Sequence, residues 1–189
     1  MVGRPVDRER RTALLDAAVD HATEHGFADL SWRTLAAALG VSSTTLVHHF
    51  GSKEELLAAV LGRLRDRMTL AVGDAPDLAA AARAVWTQSS DPARRPTFRL
   101  FFAVLGQALQ SPDSYVGFLE VVGVEWTDAL RRAQGPHTDP DDAARRATLV
   151  VATLRGLLLD LLAGGDEARV RAAAEAYLAT LGVPAAREQ

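Results

Sequence analysis

Two short stretches of the sequence carry side chains whose types and spacing could do chemistry. The first is the His-x-x-Glu-His pattern formed by His21, Glu24 and His25, which is typical of inverted zinc proteases. On a helix the two histidines lie on one face, as two zinc ligands should. No third ligand can be identified in the sequence, and Gly26 ends the helix directly after the motif. The pattern therefore favours an exposed helix end without a metal, and leaves a zinc-dependent hydrolase as the weaker alternative.

The second stretch covers residues 31–50 and combines hydroxyl and imidazole side chains with an apolar face. The apolar positions would lock two short helices against a first one, and Gly40 supplies the positive φ that a tight turn needs. Polar residues on the outer face of the second short helix can donate hydrogen bonds to phosphates or base edges. They are Ser43, Thr44, Thr45, His48 and His49. This arrangement predicts a helix-turn-helix that contacts DNA, although a simple helical hairpin has the same periodicity.

Helices account for the whole predicted architecture. Apolar residues recur at spacings of three and four almost throughout, and the alternation typical of strands is nearly absent. Asp7, Ser31 and Ser42 can cap three helices before residue 51. Ser52 and Glu55 form a capping box that opens a long fourth helix through about residue 68. We therefore expect an all-α fold of about nine helices, in which the first three position the outer face described above.

The later helices are marked by equally clear boundary residues. Caps, prolines and glycines predict helices at about 77–89, 97–110, 113–134, 140–163 and 167–181. Seven of the eleven aromatic residues fall within 86–126, which leaves room for an apolar pocket between helices. The candidate lining residues are Trp86, Phe98, Phe102, Tyr115, Phe118 and Trp126. The same side chains would also serve as ordinary core.

Composition and missing motifs exclude several classes of protein. Cysteine is absent, so disulfides and thiolate metal sites are excluded. No stretch is apolar enough to span a bilayer, and the arginine-rich start lacks the apolar region of a secretory signal. Phosphate-binding loops, nucleophile elbows and dinucleotide fingerprints are missing, which argues against an enzyme and against a cofactor. The expected location is the cytoplasm, without membrane contact.

Net charge by itself does not point to DNA. The chain carries a charge of −3, and residues 1–67 hold nine basic and nine acidic side chains. Affinity for DNA depends on where the cations lie, because each phosphate contact releases counterions locally. The single lysine, Lys53, stands among twenty arginines and begins the long fourth helix. A neutral domain can therefore still present a basic surface to a duplex.

The first 57 residues resemble the DNA-binding domain of the tetracycline-repressor (TetR) family. The matching elements, in register, are Leu14-Leu15-Asp16-Ala17-Ala18, His25-Gly26-Phe27, Ser31-x-Arg33-x-Leu35-Ala36, Leu39-Gly40-Val41-Ser42, Thr45-Leu46, His49-Phe50 and Ser52-Lys53-Glu54-Glu55-Leu56-Leu57. The remainder of the chain matches only in length and helical character. The resemblance implies a DNA-binding transcriptional regulator, with a helix-turn-helix domain at 1–52 and a ligand-binding and dimerisation domain at 53–189.

The resemblance also implies roles for single positions. Contacts with phosphate or the groove are implied for Arg33, Thr45, His49 and Lys53, and contacts with or near the bases for Thr44 and His48. Val47 departs from the family pattern, which usually has a phosphate-binding tyrosine at this position. Valine cannot make that hydrogen bond, but it could pack on a sugar or a thymine methyl.

A homodimer and a small-molecule effector are further implications of the resemblance. The helices at 140–163 and 167–181 carry broad apolar stripes, and two such pairs related by a two-fold axis would form a four-helix bundle. An apolar or aromatic ligand among the aromatic candidates would shift the fourth helix and release a repressor from double-stranded operator DNA. A DNA-binding protein that responds to no ligand is the alternative left open.

Overall fold

The computed structural model describes residues 7–26, 31–69, 72, 75–122 and 124–182. Ten α-helices and two short 3-10 segments lie within these ranges, where no strand occurs, and the all-α prediction is confirmed. The helices are α1 (Arg8–His25), α2 (Trp32–Ala38), α3 (Ser43–Phe50), α4 (Lys53–Met68), α5 (Leu78–Ser89), α6 (Arg95–Gln110), α7 (Val116–Val121), α8 (Val124–Arg132), α9 (Pro140–Leu162) and α10 (Glu167–Leu181). The 3-10 segments are Pro92–Arg94 and Pro112–Tyr115. Among the helices so described, none is long and apolar enough to cross a membrane.

The boundary residues act as the sequence predicts. The side chains of Asp77, Asp139 and Asp166 each accept hydrogen bonds from backbone amides in the first turns of α5, α9 and α10. The capping box at the start of α4 is complete, because Ser52 N donates to Glu55 Oε2 at 2.7 Å and Glu55 N donates to Ser52 Oγ at 3.1 Å. Local side-chain chemistry therefore fixes where these helices begin.

One predicted helix is divided. The segment 113–134 forms most of the second 3-10 segment, then α7 and α8, instead of one continuous helix. Gly117 and Gly123 lie within this segment, and each glycine weakens a helix by about 1 kcal/mol relative to alanine. Apolar residues at 118, 122, 126 and 130 keep a helical spacing across the glycines, which is why periodicity alone predicts one helix.

The first of two compact units comprises the described residues of 1–68 and 96–120. In this unit α1 contacts α2 and α4, and α3 contacts α2 and α4. Because α4 contributes side chains to this core, the compact unit extends past the predicted boundary between residues 52 and 53. That functional boundary stays a prediction. Phe27, quoted above for the family resemblance, lies outside the described residues. The core side chains are Leu14, Ala18, Val19 and Ala22 of α1, Leu35 and Ala36 of α2, Leu46 and Phe50 of α3, and Leu56, Val60 and Leu64 of α4.

The second unit comprises the described residues of 69–95 and 121–189. Here α9 contacts α5, α8 and α10, and α10 also contacts α5. The apolar stripe of α9 is buried within the chain: Ala147, Val150, Val151, Leu154, Leu158 and Leu161. Assigning this stripe to a dimer surface was therefore wrong, because neighbouring helices of the same chain already contact α9. Dimerisation itself stays a prediction.

Candidate nucleic-acid interface

The turn between α2 and α3 is short and closed by backbone hydrogen bonds. Gly40 has a φ of +64°, a conformation that residues with a side chain rarely adopt. Val41 N donates to Ala36 O at 3.0 Å and Gly40 N donates to Ala37 O at 3.3 Å, the two bonds of a Schellman motif. These bonds fix the direction in which the chain leaves α2, and they therefore set the position of α3.

A mostly polar surface is presented by α3. Ser43, Thr44 and His48 are exposed, as predicted. Val47 is exposed too, with 45% of its surface accessible, and it lies within one turn of the other three. We call these four residues the α3 outer face. It offers two hydroxyls and an imidazole for hydrogen bonding, with one small apolar side chain among them.

The side chain of Thr45 is committed to the start of α3. Its hydroxyl lies 2.8 Å from Ser42 Oγ, and Ser42 Oγ also accepts a hydrogen bond from Thr45 N at 3.0 Å. Thr45 is half-buried, at the edge of the α3 outer face. Its predicted contact with phosphate would therefore be made by a hydroxyl that already has one partner.

His49 lies on the inner side of α3, contrary to its predicted place on the outer face. Only 9% of its surface is accessible, and its Nδ1 has no hydrogen-bond partner among the described residues. Leu46 and Phe50 are buried with it, at the spacing of one helix face. Burial lowers the pKa of His49 below its usual value, as do the nearby charges of His48, Arg10 and Arg11. An uncharged, buried imidazole is better suited to seating α3 than to contacting phosphate.

Two exposed cations flank the α3 outer face along the chain. Arg33 is the second residue of α2 and Lys53 is the first residue of α4. Both stand in the first unit, next to helix starts whose geometry is fixed by Ser31 and Ser52. Cations beside the first turns of helices are the usual partners of a nucleic-acid backbone.

Comparison with known proteins shows which family this part of the chain matches. Residues 14–60 match the family model described as bacterial regulatory proteins of the tetR family, a span that runs from α1 into α4. Over these residues the chain has the DNA-binding region of the tetR family.

Individual relatives match this chain over different lengths. The transcriptional regulator BetI of Rhizobium meliloti (strain 1021) is 43% identical over 61 residues, which cover 30% of this chain and 30% of BetI. The regulatory protein RaaS of Mycobacterium tuberculosis is 26% identical over 192 residues, covering 96% of this chain and 85% of RaaS. The crystal structure of the multidrug binding protein EbrR, complexed with imidazole, matches with a TM-score of 0.68 at 26% identity, covering 98% of this chain and 100% of EbrR.

Two contacts that hold α3 and α4 on α1 were not predicted. Arg11 Nε donates to His49 O at 3.1 Å, and its guanidinium lies 5.2 Å from the centre of the Phe50 ring. Asp16 accepts two hydrogen bonds from Arg63, at 2.7 and 3.1 Å, and Arg63 thereby lowers the pKa of Asp16 below its usual value. The partners are 38 and 47 residues apart, so no local spacing could have indicated them.

The His21–Glu24–His25 motif packs as part of the end of α1. The two imidazole rings stack with their centres 4.4 Å apart, and His25 Nδ1 lies 3.2 Å from His21 O. Glu24 is exposed. Over the ranges that the structure describes, no group of three or more His, Asp or Glu side chains could hold a metal ion. The structure thus gives the hydrolase alternative no third ligand within those ranges.

The six aromatic candidates are divided between the two units, so no pocket inside one unit can include them all. Phe98, Phe102, Tyr115 and Phe118 belong to the first unit, and Trp86 and Trp126 to the second. Trp86 and Phe98 are almost fully buried, as core residues are, and the other four are half-buried. Tyr115, whose hydroxyl donates to Gln107 at 3.1 Å, lines a cleft of about 410 Å³ in the first unit.

Proposed function

We propose that this TetR-type regulator is a repressor that binds double-stranded operator DNA as a homodimer and is released by a small apolar or aromatic molecule. The α3 outer face is the observation that carries the proposal. It is exposed, it contains three hydrogen-bonding side chains, and it stands on a helix that is capped at its start and fixed by the turn at Gly40. An α-helix of this kind fits the major groove. A regulator that acts on chromosomal DNA would work in the cytoplasm.

The residues of the α3 outer face would read the bases. Thr44 and His48, one turn apart, can donate to or accept from base edges, and Ser43 can reach a base or phosphate. Val47 stands where many family members have a tyrosine, and its exposed methyl groups suit a thymine methyl. We therefore expect a preference for thymine at the base that Val47 faces.

The phosphate contacts would come from the residues beside that face. Arg33 and Lys53 are exposed cations, and their contacts would make binding tighten as salt is removed. Thr45 could add a contact from the edge of the face. His49 would act by seating α3 against α1, because its side chain is buried and uncharged at neutral pH.

A second copy of the chain would dimerise through an exposed seam on α9. Leu149 and Leu159 are 64% and 49% accessible, although both are large apolar residues. Ala152 and Gly156 are exposed between them, and the spacing of three, four and three residues is that of a heptad seam. The small residues at its middle would allow two helices to approach closely. The region 167–181 adds exposed alanines at positions 168, 172, 176 and 179.

A small molecule would control binding by changing the distance between the two recognition helices. These must lie about 34–36 Å apart to enter successive major grooves. The α4 helix contacts both α1 and α3, so a tilt of α4 would move the α3 outer face without altering its chemistry. A ligand that prefers the non-binding form 100-fold supplies about 2.7 kcal/mol per site. The aromatic candidates above, and the match to a multidrug binding protein complexed with imidazole, support such a ligand.

Selection of DNA sequences by the purified protein, followed by fluorescence anisotropy at several salt concentrations, tests the proposal. Lys53→Ala should weaken binding to all sequences alike and flatten the salt dependence. Thr44→Ala and His48→Ala should change base preference by about 1–3 kcal/mol. His25→Ala is the control for His48→Ala, because His25 is equally exposed but lies at the end of α1. A selection that enriches no sequence would overturn the proposal.

Ligand release needs its own test. Compounds that raise the melting temperature of the protein are added to the protein–operator complex, and the change in DNA affinity is measured. Linkage requires that operator DNA weaken the affinity for the ligand by the same factor. Compounds that bind without any change in DNA affinity would favour a ligand-independent DNA-binding protein.

A further inference from the structure

The last turn of the recognition helix α3 carries backbone carbonyl groups that the helix itself cannot satisfy. Gly51 N donates to Val47 O at 2.8 Å, and the helical pattern ends with that bond. The carbonyl groups that follow need partners from elsewhere, as they do at the end of any α-helix. His49 O has a partner on α1, since Arg11 Nε donates to it at 3.1 Å. A cation at this position also suits the negative end of the helix dipole.

Arg11 reaches α3 because it continues the inner side of α1. It stands three residues before Leu14, and Leu14 and Ala18 are buried at the spacing of one helix face. Arg11 is half-buried, whereas its neighbour Arg10 is exposed. The first turn of α1 is fixed by Asp7, whose backbone oxygen accepts from Arg11 N at 2.9 Å. The side chain of Arg11 therefore starts from a fixed point and is directed toward α3.

The same guanidinium group also packs on the final residue of α3. Its carbon lies 5.2 Å from the centre of the Phe50 ring, within the range of a cation–π contact. Phe50 belongs to the core of the first unit and is almost fully buried. One side chain of α1 thus contacts the last two residues of α3, one through a hydrogen bond and the other through its ring. These two contacts restrain the last turn of α3 at two points.

The position of α3 depends on such contacts because the helix is short. It has eight residues, which span about 12 Å, and a helix of this length has little stability of its own. Its start is fixed by the turn at Gly40, so a loose last turn would allow α3 to tilt. A tilt of about 10° would move the last turn by about 2 Å, whereas hydrogen bonds to base edges need distances of about 2.7–3.2 Å. His48 lies in that turn, directly before the residue whose carbonyl Arg11 contacts.

We propose that Arg11 is a positioning residue for base recognition: by restraining the last turn of α3 against α1, it sets the angle at which the α3 outer face meets the base edges. The inference deepens the proposed function, on which it rests for the binding of operator DNA. The role of Arg11 differs from that proposed for Arg33 and Lys53, whose phosphate contacts add affinity for any sequence. Arg11 instead raises the affinity for the operator above the affinity for other DNA.

The ratio of operator affinity to non-operator affinity tests this role. Fluorescence anisotropy gives both affinities for the full chain, with the selected operator and with a scrambled duplex of the same length. Arg11→Met removes the charge and the donor but keeps an apolar side chain, and it should lower the ratio about 10-fold, which is the size of one lost base contact. Arg11→Lys keeps the charge and a donor and should lower the ratio less. The affinity for the scrambled duplex and the salt dependence should stay as in the wild type.

Arg10→Met is the matched control, because it removes the same charge from an exposed neighbour and should leave the ratio unchanged. If Arg11→Met does not fold, Arg11→Gln gives the same comparison with a shorter, uncharged side chain. A partly unfolded variant cannot imitate the expected result, since unfolded protein lowers the apparent affinity for both duplexes by the same factor. If Arg11→Met weakens binding to both duplexes alike and flattens the salt dependence, Arg11 contacts phosphate directly and the positioning role is wrong. An unchanged ratio in the folded variants would equally refute it.

Hydrogen exchange of the protein without DNA tests the physical step between Arg11 and the bases. Arg11→Met should speed exchange of the Gly51 amide, which is bonded to Val47 O, several-fold more than it speeds exchange in α5 of the second unit. Unchanged exchange at Gly51 would show that Arg11 does not restrain the last turn. If the wild-type protein enriches no DNA sequence, the proposed function fails and this inference fails with it. If the wild type enriches a sequence but the affinity ratio does not respond to Arg11→Met, this inference alone fails.

Discussion

Gly51 joins the recognition helix α3 to α4 in a conformation that favours glycine, so its substitution is a sharp test of the structure. Its φ is +75° and its ψ is −105°, outside the regions open to other residues. A Cβ placed on Gly51 would overlap Glu55 Oε2 and lie 3.1 Å from Glu55 Cδ. Gly51→Ala therefore imposes two costs: a strained backbone, and displacement of the Glu55 side chain from its hydrogen bond with Ser52 N.

Each cost can be given a magnitude. Strain of this type amounts to about 1–3 kcal/mol, and loss of one part of a capping box to about 0.5–1.5 kcal/mol. We expect Gly51→Ala to lower the free energy of unfolding by about 2–4 kcal/mol, which corresponds to roughly 5–15 °C in melting temperature for a chain of this length. Urea and thermal unfolding at one fixed protein concentration measure it, since oligomerisation would otherwise shift the midpoint.

The chain provides a matched control in Gly62, which lies inside α4. A Cβ placed on Gly62 meets nothing within 4 Å, so Gly62→Ala should stabilise the protein by about 0.5–1 kcal/mol. In a Glu55→Ala background, Gly51→Ala should cost only the backbone strain. If Gly51→Ala lowers the free energy of unfolding by less than about 1 kcal/mol, the backbone at Gly51 is not strained as argued. If the decrease is the same in the presence and in the absence of the Glu55 side chain, the predicted overlap between the new Cβ and Glu55 is wrong.

Three further predictions concern acidity, ion pairing and assembly. Burial lowers the pKa of His49 below 6.5, so the contribution of the neutral His49 side chain to stability should be complete above pH 6.5 and should decline as the pH falls. Urea unfolding curves measured over a pH series should show this decline for the wild type, and His49→Gln should remove it. Asp16→Asn and Arg63→Gln, separately and together, should give a coupling energy of about 0.5–1 kcal/mol, because both side chains are about one-third exposed, and additive effects would argue against the pair. Leu159→Glu should reduce the mass measured by light scattering from that of a dimer to that of a monomer, while the control Arg145→Glu leaves the mass unchanged. A wild-type protein that is a monomer at micromolar concentration would rule out the dimer.

Local signals in the sequence determined the helices and the turn that presents α3. Ser42 caps α3, Ser52 and Glu55 start α4, and Gly40 allows the tight turn, all through contacts between residues no more than a few positions apart. The apolar spacing of three and four then determines the fold class, because it admits helices and excludes strands. These interactions need no knowledge of the rest of the chain, and so the all-α fold and the exposed Ser43, Thr44 and His48 could be predicted from the sequence.

Only the tertiary structure decided which side of a helix is covered and by what. His49 is polar yet lies inward, because α3 has to bury the side that faces its neighbours, and that side also includes Leu46 and Phe50. On α9 the broad apolar stripe faces helices of the same chain, which leaves a second, narrower seam exposed. Arg155 faces a cleft only because α8 packs against α9. Periodicity records that a face is apolar, but which neighbour covers it depends on contacts between residues far apart in the chain.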